Sequence, residues 1–222
     1  MRQACIIIFG LILGACDAAT TAQPLFKDDF KGRIDPAWKI TRADTNFYSV
    51  TSWGLDLRVS SDDINVAGVP SARNMFLIAN PTKGDFSATL KIRSFVPATV
   101  NHAQIDVIAL DDQDHLVRAN YGHIHGRRQA EFGMEQGSRW TPQQTPVDLG
   151  KGTFFLRLEK KENVYTQYYS SDGSNYTAIN TPRDFGDGAP AWLGFCAGAD
   201  PSNSSYVHIE SFTVELPSYR KL

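Results

Sequence analysis

Apolar residues recur at every second position in run after run of this chain, and no segment after the N-terminal leader holds a helical period. In "AQIDVIAL" Ile105, Val107 and Ala109 fall on one side, and Gln104 and Asp106 on the other. "HLVRANYG" sets Val117, Ala119 and Tyr121 against Arg118 and Asn120, and "RQAEFGME" sets Ala130, Phe132 and Met134 against Gln129, Glu131 and Glu135. "TFFLRLEK" opposes Phe154, Leu156 and Leu158 to Phe155, Arg157 and Glu159. "YSVTSWGLDLRV" reads as two short strands about Gly54, and "DDQD", "KKEN" and "SSDGSN" read as hairpin turns. The prolines fall at strand ends or between strands, where a missing N–H does no harm. Short strands with frequent turns and no intervening helices predict an all-β antiparallel sandwich or barrel. An early strand over Lys27 to Phe30 is expected to pair with the last one, Tyr206 to Leu216. Neither an internal repeat nor a second domain is visible.

The start of the chain has a separate logic. Arg2 precedes an apolar run of about a dozen residues, too short to span a bilayer, where about 20 are needed. "LGAC" (Leu13 to Cys16) resembles a bacterial lipobox, in which the cysteine becomes the lipid-modified first residue; ordinary cleavage near "TTAQ" is the alternative. The expected organisation is a leader over 1–16, a tether over 17–23 and one sandwich domain over 24–222. The expected location is the bacterial cell envelope, lipid-anchored to the membrane and facing the periplasm or the surface. With Cys5 in the leader and Cys16 lipidated, Cys196 alone remains, so no internal disulfide can form. Cys196 lies in the apolar run "AWLGFCAGA" and is expected to be a buried, inert thiol. A net charge of -2 without a basic stripe argues against nucleic-acid binding.

The polar set Gln104, Asp106, Arg118, Asn120, Gln129, Glu131, Glu135 and Arg157 mixes amides, carboxylates and guanidiniums that can bond sugar hydroxyls at two points. Trp53, Trp140, Tyr48 and Tyr168 are candidates for stacking on sugar rings. The alternative is a solvated sheet face laced with cross-strand pairs, each contributing only about 0.2–1 kcal/mol.

"LFKDDFKGRIDPAWKI", "KGDFSATLKI", "AQIDVIALDDQDHLVRANYG", "LRLEKKENVYTQYYSSDGSNYTAI" and "HIESFTVE" occur in this order. Together they resemble a bacterial family of unknown function, itself similar to the concanavalin A-like sandwich at the C-terminus of β-xylosidases. The hairpin "LRLE … YYSSDGSNY" is the most specific piece. The resemblance implies a jelly roll of two antiparallel sheets and a role in carbohydrate binding. Laminarinase-like members of that superfamily carry an acidic "E-x-D-x-x-E" strand. Here Gln104 stands where the nucleophilic Glu belongs and no Glu follows, and an amide cannot be that nucleophile.

Asp106 and Glu131 remain as a possible carboxylate pair on adjacent strands. His123 and His125 in "NYGHIHGRR" share a parity, but that of the core side, so a rim turn with Arg127 or Arg128 is the better reading than a metal pair. Asp28 and Asp29 near one end could meet Glu210 near the other around a structural calcium. The function expected is a non-catalytic, oligosaccharide- or polysaccharide-binding envelope lipoprotein. A hydrolase or lyase using Asp106 and Glu131 and a protein-binding envelope module are the alternatives.

Overall fold

The computed structural model describes residues 23–59, 72–99, 102–112, 115–137, 139–186, 188–199 and 205–218. The leader with Cys16, residues 17–22 of the tether and residues 113–114 of the "DDQD" turn lie outside the described residues. In chain order the strands are β1 (Phe26–Asp28), β2 (Lys39–Thr41), β3 (Tyr48–Thr51), β4 (Gly54–Arg58), β5 (Met75–Ala79), β6 (Phe86–Phe95), β7 (His102–Asp112) and β8 (His115–Ile124). They continue as β9 (Arg127–Gln136), β10 (Arg139–Pro146), β11 (Phe154–Lys161), β12 (Val164–Ser170), β13 (Thr177–Ala178), β14 (Arg183–Asp184), β15 (Trp192–Ala199) and β16 (Tyr206–Glu215). No helix occurs among the described residues.

Among those residues the strands make two sheets. A nine-stranded sheet runs β13-β12-β11-β6-β16-β4-β3, with β1 on β16 and β14 on β12; a seven-stranded sheet runs β10-β9-β8-β7-β15-β5-β2. Their pairings are antiparallel throughout. The expected union of the chain ends is present, with Phe26 opposite Val214 and Asp28 opposite Phe212.

The inner faces are those the alternation selects. Leu55, Leu57, Ala88, Leu90, Ile92, Leu156, Leu158, Phe212 and Val214 of the nine-stranded sheet meet Phe76, Ile78, Ile105, Val107, Ala119, Tyr121, Phe132 and Phe195 of the other in one core. Burying each valine, leucine, isoleucine or phenylalanine among these stabilises the fold by about 1.5–3 kcal/mol relative to exposure. Trp38 fills one end of the core, its ring 5.4 Å from Phe26, 5.4 Å from Phe195 and 5.3 Å from Phe212. The carboxylate of Asp28 holds it there: one oxygen accepts the Phe30 N–H at 2.8 Å, and the other accepts the Asp35 N–H at 2.9 Å and the Trp38 indole N–H at 2.8 Å.

Strands β2 and β10 escape the two-residue pattern, as do the two-residue strands β13 and β14. β10 contains Pro142 and Pro146, and it is an edge strand paired with β9 alone, the place where a sheet tolerates proline. β2 is a three-residue edge on β5.

Much of the outer face of the seven-stranded sheet is also buried, which is not the solvated surface that alternation alone allows. At one end Met75, Leu77, Ile108, Leu110, Leu116 and Cys196 form a second buried apolar cluster, with Trp192 beside it. Cys196 is therefore buried, as expected, on the outer rather than the inner side, where it stands opposite Asp106. The polar side chains occupy the other end.

Candidate functional site

Register places the polar residues of the outer face in rows. Asp106 on β7 is opposite Asn120 on β8, Asn120 is opposite Glu131 on β9, and Glu131 is opposite Gln144 on β10. Gln104 and Gln129 flank this row on one side, separated by Gly122; Arg118, Glu135 and Trp140 lie on the other. Gln104, Asp106, Arg118, Asn120, Gln129, Glu131 and Glu135 are only 0–5% exposed. Their geometry is set by side-chain partners, and Gln144 at the edge of the row is exposed.

Amides orient both carboxylates. The Gln104 amide donates to the two oxygens of Asp106 at 3.3 and 3.2 Å. Glu131 Oε1 accepts from the Gln144 amide at 2.7 Å and from the Gln129 amide at 3.3 Å. The Gln129 carbonyl in turn accepts from Arg127 Nε at 2.7 Å. Between the carboxylates, Asn120 accepts the Glu131 N–H at 2.9 Å through its side-chain oxygen, while its Nδ2 is buried with no hydrogen-bond partner among the described residues. A buried donor left unmet costs about 1–3 kcal/mol.

The position of Asn120 is fixed from below. Gln167 of β12 reaches across from the other sheet and donates to the Asn120 carbonyl at 2.8 Å, and Asn180 donates to Gln167 at 2.7 Å. Thr145 of β10 closes this chain on Asn180 at 2.6 Å. At the far side of the row the Arg118 guanidinium lies 4.0 Å over the Trp140 ring and 3.9 Å from Glu135. One face of Trp140, a proposed sugar platform, is thus taken by a cation.

The opening of the β8–β9 hairpin accounts for "GHIHG". β8 ends at Ile124, and His125 and Gly126 form the turn with φ of 50° and 79°. His123 keeps the inward parity and is buried. His125 does not, because the left-handed turn swings its ring to the outer face, 3.9 Å from Glu131 and 4.8 Å edge-on to His102. The rim-turn reading holds, but the shared face of the two histidines does not. Beside it, the Tyr121 hydroxyl accepts from the Leu149 N–H at 3.1 Å and from Arg128 at 3.4 Å, and donates to Asp148 at 3.3 Å. Burial pushes the Tyr121 phenol above its usual range. The Gly150 N–H, helped by Arg128, holds the Asp148 carboxyl below its own.

The structure divides the expected polar set. Arg157 lies on β11 and Tyr168 on β12, on the outer face of the nine-stranded sheet, and Trp53 caps the β3–β4 turn, 67% exposed. Tyr48 packs edge-on against Phe76 in the core. Alternation assigns a residue to a side of its own strand, but carries nothing about which sheet receives that strand. The carboxylate pair needs a similar correction: β8 separates β7 from β9, so Asp106 and Glu131 are not on adjacent strands. Two interstrand steps set their backbones roughly 9–10 Å apart. The calcium group does not assemble either. Asp28 is saturated by three N–H donors, Asp29 stands 3.7 Å from Lys31, and Glu210 pairs with Lys91 at 2.6 Å. Among the described residues no group of three or more His, Cys, Asp or Glu side chains could hold a metal.

No protein-family model matches the chain, and no curated protein matches it in sequence. Solved structures do. The GH43 protein BlXynB from Bacillus licheniformis superposes with a TM-score of 0.72 at 14% identity, over 86% of this chain and 39% of that one. The xylan β-1,4-xylosidase from Bacillus halodurans C-125 gives 0.70 at 13% identity, over 87% and 39%. A β-1,3-glucanase from Mycobacterium marinum gives 0.58 at 14% identity, over 87% and 99%. The fold is a concanavalin A-like jelly-roll sandwich. This chain spans about two-fifths of the first two proteins and nearly the whole of the third, and at these identities the likeness is one of fold.

Within this concanavalin A-like sandwich, sequence reasoning missed Gln144 beside Glu131 and gave His125 the core-side parity instead of a place between Glu131 and His102. Gln144 sits in a proline-bearing strand that periodicity skips, and His125 owes its direction to backbone conformation at one turn. The amide partners of the carboxylates carried a signal, since Gln104 and Gln129 share parity with Asp106 and Glu131.

Proposed function

We propose that this protein is a carbohydrate-binding sandwich that takes a neutral, β-linked oligosaccharide at the Asp106–Asn120–Glu131–Gln144 row. The observation that carries the reading is the buried, unmet Nδ2 of Asn120 between two oriented carboxylates. A sugar hydroxyl or ring oxygen would satisfy that donor, while Asp106 and Glu131 accept from neighbouring hydroxyls. A ligand recovers the cost of such an orphan, which makes its recognition selective. The sandwich shared with a xylosidase and a β-1,3-glucanase supports the reading and makes xylohexaose and laminarihexaose the first ligands to try. Calorimetric titration with each should give binding by at least one, weakened about tenfold or more by Asn120→Ala and by Gln144→Ala. Gln144 is exposed on an edge strand, so its variant should fold. Absence of binding by both, or indifference to both variants, would remove the proposal.

A second reading is hydrolysis, favoured by the two buried carboxylates in one row. Their backbone spacing is nearer to the carboxyl separation of inverting glycosidases, about 6.5–9.5 Å, than to the 5–5.5 Å or so of retaining ones. Turnover of either oligosaccharide that disappears on Asp106→Asn or Glu131→Gln would establish it.

For location, we propose that the sandwich is tethered to a bacterial envelope membrane by lipid on Cys16, on the strength of "LGAC". Expression in a bacterial host with a labelled fatty acid should give a labelled protein, and Cys16→Ser an unlabelled one. Labelling that survives the substitution would contradict the anchor.

A further inference from the structure

The hairpin "LRLE … YYSSDGSNY" sends Gln167 towards the row just described, while its Arg157, Tyr168 and Tyr176 come together on the opposite side of the molecule. On the outer face of the nine-stranded sheet, register aligns Tyr168, Arg157, Thr89, Thr213 and Lys27 across β12, β11, β6, β16 and β1. The loop after β12 folds back on this line. The Asp172 carboxylate accepts from the Ser174 N–H, the Asn175 N–H and the Asn175 amide, each at 2.8 Å. These bonds hold its carboxyl well below the usual range. Gly173, with φ of 77°, lies so close to the Phe155 ring that an added Cβ would stand 2.7 Å from it. A loop tied down in this way delivers Tyr176 onto Arg157, the guanidinium 3.6 Å from the ring centroid. Arg157 Nε donates to the Thr89 hydroxyl at 2.8 Å.

Arg157 is therefore clamped on one face by an aromatic ring and at Nε by a hydroxyl, with its remaining N–H groups uncommitted to any carboxylate among the described residues. Arg157 and Tyr176 form the ridge between two adjoining cavities, of about 310 Å³ towards Lys27 and about 500 Å³ towards Tyr168. Of the neighbouring lysines, Lys31 pairs with Asp29, Lys91 with Glu210 and Lys161 with Glu159, while Lys27 lines the far part of the same cavity. A pre-set guanidinium fork suits a planar carboxylate, which it can bind through two parallel hydrogen bonds. Glu210 and Glu215 line the same cavity and would repel a doubly charged phosphate more than a singly charged carboxylate. The hydroxyls of Thr89, Ser211 and Thr213 and the Phe155 ring complete surroundings suited to a sugar ring.

We infer that this face holds a second site, distinct from the Asp106–Glu131 row, that binds an acidic sugar through its carboxylate on Arg157. The experiment is calorimetric titration of the full chain in detergent with sodium glucuronate, glucose and a hexose phosphate. Glucuronate should bind, glucose about tenfold more weakly or not at all, and added salt should weaken glucuronate binding. Arg157→Gln should abolish it and Arg157→Lys reduce it, since an ammonium keeps the charge but not the fork. Tyr176→Leu leaves the charge and removes the clamp, and should cost several-fold in affinity even if the Arg157 variants fold poorly. Tighter binding of the phosphate, equal binding of glucose, or glucuronate binding unchanged by Tyr176→Leu would overturn the inference.

Discussion

Tyr121 shows how much one side chain settles at the edge of the candidate site. Its ring lies in the core, 5.4 Å edge-on to Phe154, while its hydroxyl gathers Arg128, Asp148 and the Leu149 N–H at the rim. Desolvation raises its ionisation above that of an unfolded tyrosine, near 10. Below that value both states are neutral and the contribution of Tyr121 to stability is intact. Above it the unfolded chain ionises while the folded one resists, so stability falls until the pH passes the folded value. Tyr121→Phe should therefore cost roughly 1–2 kcal/mol near neutrality, through the lost hydrogen bonds, and make the alkaline decline shallower. Urea unfolding followed from neutral to strongly alkaline pH checks both parts; a variant with the parent's alkaline slope would contradict the assignment.

At the scale of elements, Asp28 joins the first strand to the turn that seats Trp38. Asp28→Ala leaves three N–H groups without their acceptor, two of them in the interior beside Phe30 and Trp38. The expected loss is about 3 kcal/mol, a fall in melting temperature of roughly 6–12 °C for a domain of this size, read by thermal unfolding. An unchanged melting temperature would show that the turn holds without its carboxylate. The same clamp explains why calcium looked attractive in the sequence. Two adjacent aspartates read as cation ligands until an indole and two backbone amides are found to occupy one of them. Strand faces were legible because period two is a property of the strand itself, and the β7, β8 and β9 assignments came straight from it. Sheet membership was not, because it depends on long-range pairing: Arg157 and Asp106 have the same outward parity and lie on opposite sides of the molecule. β10 was illegible for a local reason, since its prolines mark it as a non-strand until its edge position is known. His125 was illegible because the left-handed turn it forms with Gly126 reverses a direction that alternation would predict.

For the whole molecule, a core of aromatic and branched side chains carries two outer faces of different chemistry. One is a row of carboxylates and amides braced from the opposite sheet through Gln167 and Asn180. The other is a clamped arginine between two cavities. Among the described residues Cys196 is free and no disulfide forms, so packing keeps these faces rigid, and the relay from Thr145 to Asn120 ties the two sheets together where the row lies. The most direct test of the account is amide NMR of the protein titrated with xylohexaose and laminarihexaose. Saturable shifts confined to β7 through β10 around Asn120, and lost in Asn120→Ala, are predicted. Shifts scattered over the nine-stranded sheet, or none at any oligosaccharide concentration, would contradict it.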